Sequence, residues 1–301
     1  MQQQPQNNRP RQNSAQPRQR PQQNTAQRQA PRTQQRRPKR KRRSFTSVII
    51  TIIVLAAVCV GLIFAAIYLS GVRYIKVQVT DDLYVKFLGQ VDDEGNPYKG
   101  RIIYSDGISA EVNLDREEIS YSNGDVYCGG LDNLLKEGEG EMRYANGDIY
   151  KGTFSGDLIS GKGVYNYVSG DVYDGEFKNG VKDGQGTYTF SDGSSFTGEF
   201  EKDKKNGQGE YRFASGDSYI GSYVDDMKDG TGVYTWANGD VYEGDFVQDV
   251  RTGYGVYTWA NGEKYDGEFK DNVMSGYGTY SWPGGRTYTG HFENGVIIRT
   301  E

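Results

Sequence analysis

Hydrophobic and polar positions divide the chain into three regimes. Residues 1–43 are mostly Gln, Asn, Pro and Arg, a composition that cannot assemble an apolar core and predicts disorder. From Phe45 to Leu69 no charge interrupts a 25-residue run rich in Ile, Val, Ala and Leu. That exceeds the ~20 residues needed to cross the hydrocarbon layer as a helix, and predicts a transmembrane helix over 44–70. Beyond it the pattern changes to alternation at period two, the signature of strands.

The alternation is itself periodic. From Asn123 the chain repeats every 23 residues without insertion or deletion, with units starting at Asn123, Asn146, Ser169, Asp192, Ser215, Asn238, Asn261 and Gly284. Residues 123–301 therefore hold seven full units and a partial eighth, the mark of an array whose units bury their apolar face only against neighbours. Each unit opens near a Gly (Gly147, Gly170, Gly216, Gly239, Gly262), usually after Asn or Ser and before Asp. Such a pair predicts a two-residue hairpin turn, because Gly and Asn tolerate positive φ.

Within a unit, Tyr173, Gly175 and Phe177 fall on one face, and Val172, Asp174 and Glu176 on the other. In the next strand Gly184, Gly186, Tyr188 and Phe190 share a face against Gln185, Thr187 and Thr189. A single-layer sheet has no second sheet to cover its apolar side, but a strand Gly leaves a slot over which a neighbouring strand's ring can lie. This accounts for 24 Tyr and 41 Gly in one chain. The expected fold is all-β, an elongated single-layer antiparallel β-hairpin repeat array with one N-terminal transmembrane α-helix and a basic tail. At two strands per unit and ~4.8 Å between strands, the array would extend roughly 70 Å.

The unit Asn238-Gly239-Asp240, Tyr242-Glu243-Gly244-Asp245-Phe246, Gly253-Tyr254-Gly255-Val256-Tyr257 resembles the MORN repeat (membrane occupation and recognition nexus), with its Y-x-G-x-F and G-x-G-x-Y motifs. The resemblance covers Asn123 to about Gly295. Leu131 and Met142 replace aromatic positions in the first unit, Phe196 replaces Tyr in the fourth and Tyr223 replaces Phe in the fifth. Choline- or glucan-binding wall repeats are also short and aromatic, but are built on a Trp-Tyr-Tyr core. The resemblance implies a groove-bearing sheet of hairpins used for protein or lipid contacts, and supplies no catalytic residue.

Charge is unevenly shared. The first 43 residues carry 13 Arg or Lys and no acid, which leaves 22 basic and 40 acidic residues in the remainder, a net −18. Lys39, Arg40, Lys41, Arg42 and Arg43 abut the apolar run, against only Arg73 and Lys76 beyond it. The positive-inside rule then places the N-terminus in the cytoplasm and the repeats outside, in a single-pass cell-membrane protein. A basic region this long, an apolar run longer than an h-region and the lack of a small-x-small site after it favour an uncleaved anchor over a signal peptide. The basic cluster suits anionic lipid headgroups; with no stacking aromatics beside it, nucleic acid is the less favoured partner.

Residues 71–122 form a β-rich stalk or cap. Tyr74–Val79, Leu83–Leu88 and Gly100–Tyr104 read as strands, and Tyr98-Lys99-Gly100 resembles a degenerate repeat start out of phase with the array.

The inventory speaks against catalysis. There is one His, His291, and one Cys outside the apolar run, Cys128, so neither a zinc site containing His nor a Cys–His pair on neighbouring units can be built. The acids recur at equivalent positions (Glu176, Glu199, Asp245, Glu268), as on a solvated face rather than in a tuned catalytic pair. The Asp series at Asp148, Asp171, Asp217 and Asp240 reads as turn-stabilising, with calcium as the alternative. No metal, cofactor or catalytic residue is assigned. Cys128 falls on the polar face, where an intermolecular disulfide is open to it.

Binding is expected on the aromatic face of the C-terminal units. Trp236, Trp259 and Trp282 recur in one slot beside Tyr234, Tyr257 and Tyr280, with Tyr242, Phe246, Tyr265 and Phe269 on the same face. Such rings combine apolar area with a hydrogen-bonding end. The expected function is a membrane-anchored scaffold presenting a protein-binding platform, with envelope polysaccharide or lipid headgroups as the alternative ligand.

Overall fold

A computed structural model describes residues 45–115 and 117–298; the basic tail 1–43, with the cluster Lys39 to Arg43, lies outside the described residues. Phe45–Leu69 forms α1, whose Val48–Leu69 segment is the one helix among the described residues long and apolar enough to span a membrane. At ~1.5 Å per residue its 25 residues reach about 37 Å, against ~30 Å of hydrocarbon. It stops where Gly71 turns left-handed at φ 78° and Arg73 Nη1 donates to the Tyr68 carbonyl at 2.9 Å, a cation on the electronegative end of the helix.

Among the described residues the remainder is one antiparallel sheet of 21 strands, each paired with the next in sequence. It begins with β1 (Val72–Gln78), β2 (Tyr84–Val91) and β3 (Pro97–Tyr104), followed by the short β4 (Ser109–Asn113) and β5 (Glu118–Tyr121). From β6 (Val126–Asp132) and β7 (Leu135–Arg143) to β20 (Thr287–Glu293) a seven-residue and a nine-residue strand alternate, and the two-residue β21 (Val296–Ile297) ends the sheet. Residues 71–122 thus add their strands to the same sheet as the array.

The core is a column of rings laid on glycines. Tyr127, Tyr150, Tyr173, Phe196, Tyr219, Tyr242 and Tyr265 are each no more than 1% exposed. Each covers the Gly two residues ahead on its own strand and the Gly paired with it across the strand, as Tyr173 covers Gly175 and Gly186. A Cβ at either glycine would fall closer than 3.0 Å to the ring. Each ring from Tyr150 onward also meets two others edge-on: Tyr173 packs on Phe177 and Phe200 with centroids 5.0 and 5.1 Å apart and planes near perpendicular. Tyr127, whose unit has Leu131, meets Phe154 alone among the described residues. Edge-to-face pairs add ~0.5–1.5 kcal/mol beyond the buried area, so one column of side chains does the work of a second sheet.

A β-bulge fixes the spacing of the motif. In every unit the register slips between the covered Gly and the next aromatic position, as between Gly175 and Phe177. The extra residue's carbonyl leaves the ladder and accepts the core tyrosine's hydroxyl: Tyr173 to Glu176, Tyr219 to Ser222 and Tyr242 to Asp245, at 3.0 to 3.2 Å. Tyr-x-Gly-x-Phe is therefore a ring, its slot, the bulge that takes its hydroxyl, and the next ring.

Three sequence expectations change. The two-residue turns lie at the other end of the unit from the Asn-Gly pairs: Lys202-Asp203, Asp225-Asp226, Gln248-Asp249 and Asp271-Asn272 have positive φ at both positions, the type I′ geometry. At Asn146-Gly147 only Gly147 is left-handed, and Tyr144 pairs with Asp148 across three loop residues. Gly184 leaves the aromatic face, because the bulge gives it φ 112° and turns its Cβ position onto the Glu176 side chain. The degenerate unit centres on Phe87, not Tyr98: Phe87 is fully buried over Gly89 and Gly100, the same ring-on-glycine device.

Candidate functional site

The ten ring residues expected to bind separate into two columns. Tyr242, Phe246, Tyr265 and Phe269 belong to the buried column, at 5% exposure or less, and form its floor. Tyr234, Trp236, Tyr257, Trp259, Tyr280 and Trp282 form a second, half-buried column. The tryptophans alternate in it with tyrosines, and neighbouring centroids from Tyr234 to Trp282 stand 4.5 to 5.3 Å apart. The same column runs back through Phe213, Tyr211, Phe190, Tyr188, Tyr167 and Tyr165 to Tyr144. These rings carry little of the covering of glycine, which the floor column supplies, so their faces and edges bound an open groove.

The tyrosines of this column are pinned between units. Asp240 accepts the Tyr257 hydroxyl at 2.8 Å on one carboxylate oxygen and the Ala260 N–H at 2.8 Å on the other. Asp148 with Tyr165 and Val168, Asp171 with Tyr188 and Ser191, and Asp217 with Tyr234 and Ala237 repeat the clamp. The backbone N–H bond, first, and the tyrosine bond hold Asp171 and Asp240 below the ordinary carboxylate range. Burial, then the carboxylate, pushes Tyr257 up to about 12. Both oxygens of each aspartate thus bind the chain's own donors, which favours the turn-stabilising reading and extends it to a bond between units. Two positions depart from Asp: Ser194 keeps the backbone bond, its hydroxyl accepting the Ala214 N–H at 3.0 Å, and where Glu263 stands for Asp the clamped position is Pro283. Proline has no N–H to accept from, and Glu263 bonds Tyr280 instead.

A row of cations, missed from the sequence, runs between the columns. Lys136, Lys182, Lys205, Lys228 and Arg251 occupy equivalent places in their units. Each sits half-buried over rings of the groove, as Lys205 does 5.8 Å from Phe196 and 5.3 Å from Tyr211. A carboxylate in the following turn meets each lysine: Asp157 at 3.1 Å, Asp203 and Asp226 at 4.0 Å, Asp249 at 2.7 Å. The same aspartates accept the backbone N–H of the lysine. The signal for this row was present as Lys and Asp recurring 21 residues apart. Where the cation is absent, at Ile159 and Met274, the partner position is Gly180 and Gly295.

His291 is exposed beside the Tyr277 ring, 5.4 Å between centroids. Cys128 is half-buried opposite Glu141, and burial raises its thiol pKa, partly offset by Arg143. Among the described residues no group of three or more His, Cys, Asp or Glu side chains is placed to hold a metal ion.

The family model described as the MORN repeat matches residues 127–149, 150–172, 173–195, 196–218, 219–241, 242–264 and 265–285, together more than half of the chain. No curated protein matches. Among solved structures, the chain is similar to one described as the SAS-4 (dCPAP) TCP domain in complex with a proline-rich motif of Ana2 (dSTIL) of Drosophila melanogaster. That match has 17% identity and a TM-score of 0.30, and covers 61% of this chain and 84% of that one. A second is described as a streptogramin B lyase structure, at 12% identity and TM-score 0.16, covering 74% of this chain and 84% of that one. At these scores neither bears on function.

Proposed function

The chain belongs to the MORN repeat family, a non-catalytic repeat scaffold, and on that premise we propose that it is a membrane-anchored adaptor holding a protein partner against its extracytoplasmic face. The observation that carries this is the groove of the last three units. Its floor is buried, while Trp236, Trp259 and Trp282 stay half-exposed along one wall. Large amphipathic rings on a fixed support are the residues that dominate protein interfaces. Anchoring rests on the apolar α1, and orientation on the basic cluster before it. The net −18 of the remainder opposes docking on an anionic bilayer.

The test is substitution of Trp236, Trp259 and Trp282 by Ala, with retention of protein partners measured against retention of purified wall polymer. Loss of protein alone supports the adaptor; loss of polymer alone supports the polysaccharide reading. Orientation is tested by Cys128 with a membrane-impermeant thiol reagent applied to intact cells. Because the thiol is half-buried, its reactivity after denaturation is the reference, and labelling that requires lysis would reverse the topology.

A further inference from the structure

The cation row breaks its rule once. Four lysines face an aspartate, and two apolar residues face a glycine, but Arg251 faces Asn272. Asn272 keeps the structural half of the aspartate's task, accepting the Arg251 backbone N–H on Oδ1 at 2.9 Å. It drops the charge. Of the guanidinium's donors, Nε reaches Asn272 Oδ1 at 3.5 Å and Nη2 the Asn272 carbonyl at 2.8 Å. Among the described residues, no carboxylate lies within 4.0 Å of Arg251.

The surroundings are those of a receptor. Arg251 stands 5.4 Å from the ring centres of Trp236 and Tyr242, 5.6 Å from Tyr257 and 5.9 Å from Phe269. A cavity of about 390 Å³ opens there, lined by Trp236, Arg251, Tyr257, Trp259, Phe269 and Asn272 with apolar Val273 and Met274 beside them. Arginine replaces lysine only at this rung, and its planar fork matches a carboxylate at two points where lysine offers a point charge. A half-buried cation over aromatic faces with no carboxylate beside it gains most from an anion that displaces its remaining water.

We propose that this pocket is a carboxylate subsite of the groove, taking an Asp or Glu side chain of a partner peptide whose neighbouring residue is apolar. It rests on the adaptor reading. The carboxylate pairs with Arg251 where an aspartate serves the other rungs, and the apolar neighbour lies against Met274, Val273 and the tryptophan edges.

The experiment uses the full chain in detergent micelles, whose three tryptophans, Trp236, Trp259 and Trp282, all belong to this wall and report by fluorescence. The probes are acetyl-Leu-Glu-Leu-amide and its Gln counterpart. The glutamate peptide should bind about ten- to a hundredfold more tightly, the range of a charge-assisted hydrogen-bonded pair. Asn272→Asp should abolish that preference with the fold intact, because Asp already occupies the same turn position at 203, 226 and 249. Arg251→Gln should abolish it as well. Equal binding of both peptides, or no binding of either, overturns the subsite; in the first case groove binding itself stands. A preference that survives Trp236→Ala with Trp259→Ala, read by calorimetry because both pocket tryptophans are then gone, but not Arg251→Gln overturns the groove reading and leaves the pairing with Arg251. A response to galacturonate oligomers and none to the glutamate peptide overturns the assignment to a protein partner.

Discussion

Gly186→Ala adds one methyl group at the point where the architecture has no room. The new Cβ would fall closer than 3.0 Å to the hydroxyl, Cε2 and Cζ of Tyr173. That ring is fully buried, packs edge-on against Phe177 and Phe200 at 5.0 and 5.1 Å, and donates its hydroxyl to the Glu176 carbonyl at 3.0 Å. Backbone on one side and two rings on the others leave it no small displacement, so it must swing out. The loss then approaches deletion of a core aromatic, about 3–5 kcal/mol, which contains the ~0.5–1.5 kcal/mol of the hydrogen bond. Gly193→Ala is the control: its φ of 90° makes alanine strained, but nothing lies within 4 Å of the added Cβ, and the expected cost is only ~1–2 kcal/mol. Hydrogen exchange read by mass spectrometry suits the measurement, because repeat arrays open locally rather than in one transition. Gly186→Ala should deprotect amides of residues 172–189 and spare the last two units. In that background Tyr173→Ala should add little, since the ring has already left. A Gly186→Ala protein as protected as Gly193→Ala, or a fully additive double variant, would refute the ring-on-glycine account.

Other consequences follow from the same geometry. Phe196 is the core ring without a hydroxyl, so Phe196→Tyr should restore the bond to the Glu199 carbonyl and stabilise the fourth unit by ~0.5–1.5 kcal/mol, read by exchange. The clamp aspartates Asp148, Asp171 and Asp240 have folded-state pKa values below 3.8. Their contribution is complete above that value and is lost as pH falls through the lower folded values, so melting should change little from them between pH 7 and 5 and drop below about pH 4. A loss already present between pH 7 and 5 that vanishes on replacing the three by Asn would contradict this. Lys228→Ile and Asp249→Gly should each destabilise alone, while the pair, which copies Ile159 with Gly180, should cost less than the sum in a double-mutant cycle.

Period, hairpin, aromatic face and apolar helix were legible because each is a repeated pattern of residue types. The turns were not. Lys202-Asp203 and Gln248-Asp249 carry no glycine, and their left-handed backbone is stabilised by the aspartate's bond to Lys182 or Lys228 in the preceding hairpin rather than by local preference. The bulge was hidden because period-two counting puts Gly175 and Phe177 on one face with or without the slipped register. Phe87 escaped because its unit keeps Phe-x-Gly but is separated from the array by β4 and β5. In the candidate site, the rings were found by type and their division into floor and wall was not, since Tyr242 and Tyr257 differ only in which strand of the hairpin carries them. Arg251 and Asn272 are conspicuous only once the 21-residue pairing of Lys with Asp is known.

Whether the groove face holds a protein outside the membrane is measured with a photo-crosslinking residue placed in intact cells at Trp259 and, on the opposite face, at Glu243. A defined protein adduct should form from position 259 and none from 243, and protease added to intact cells should remove it. Adducts from 243 alone, or equal adducts from both faces, would contradict the adaptor reading.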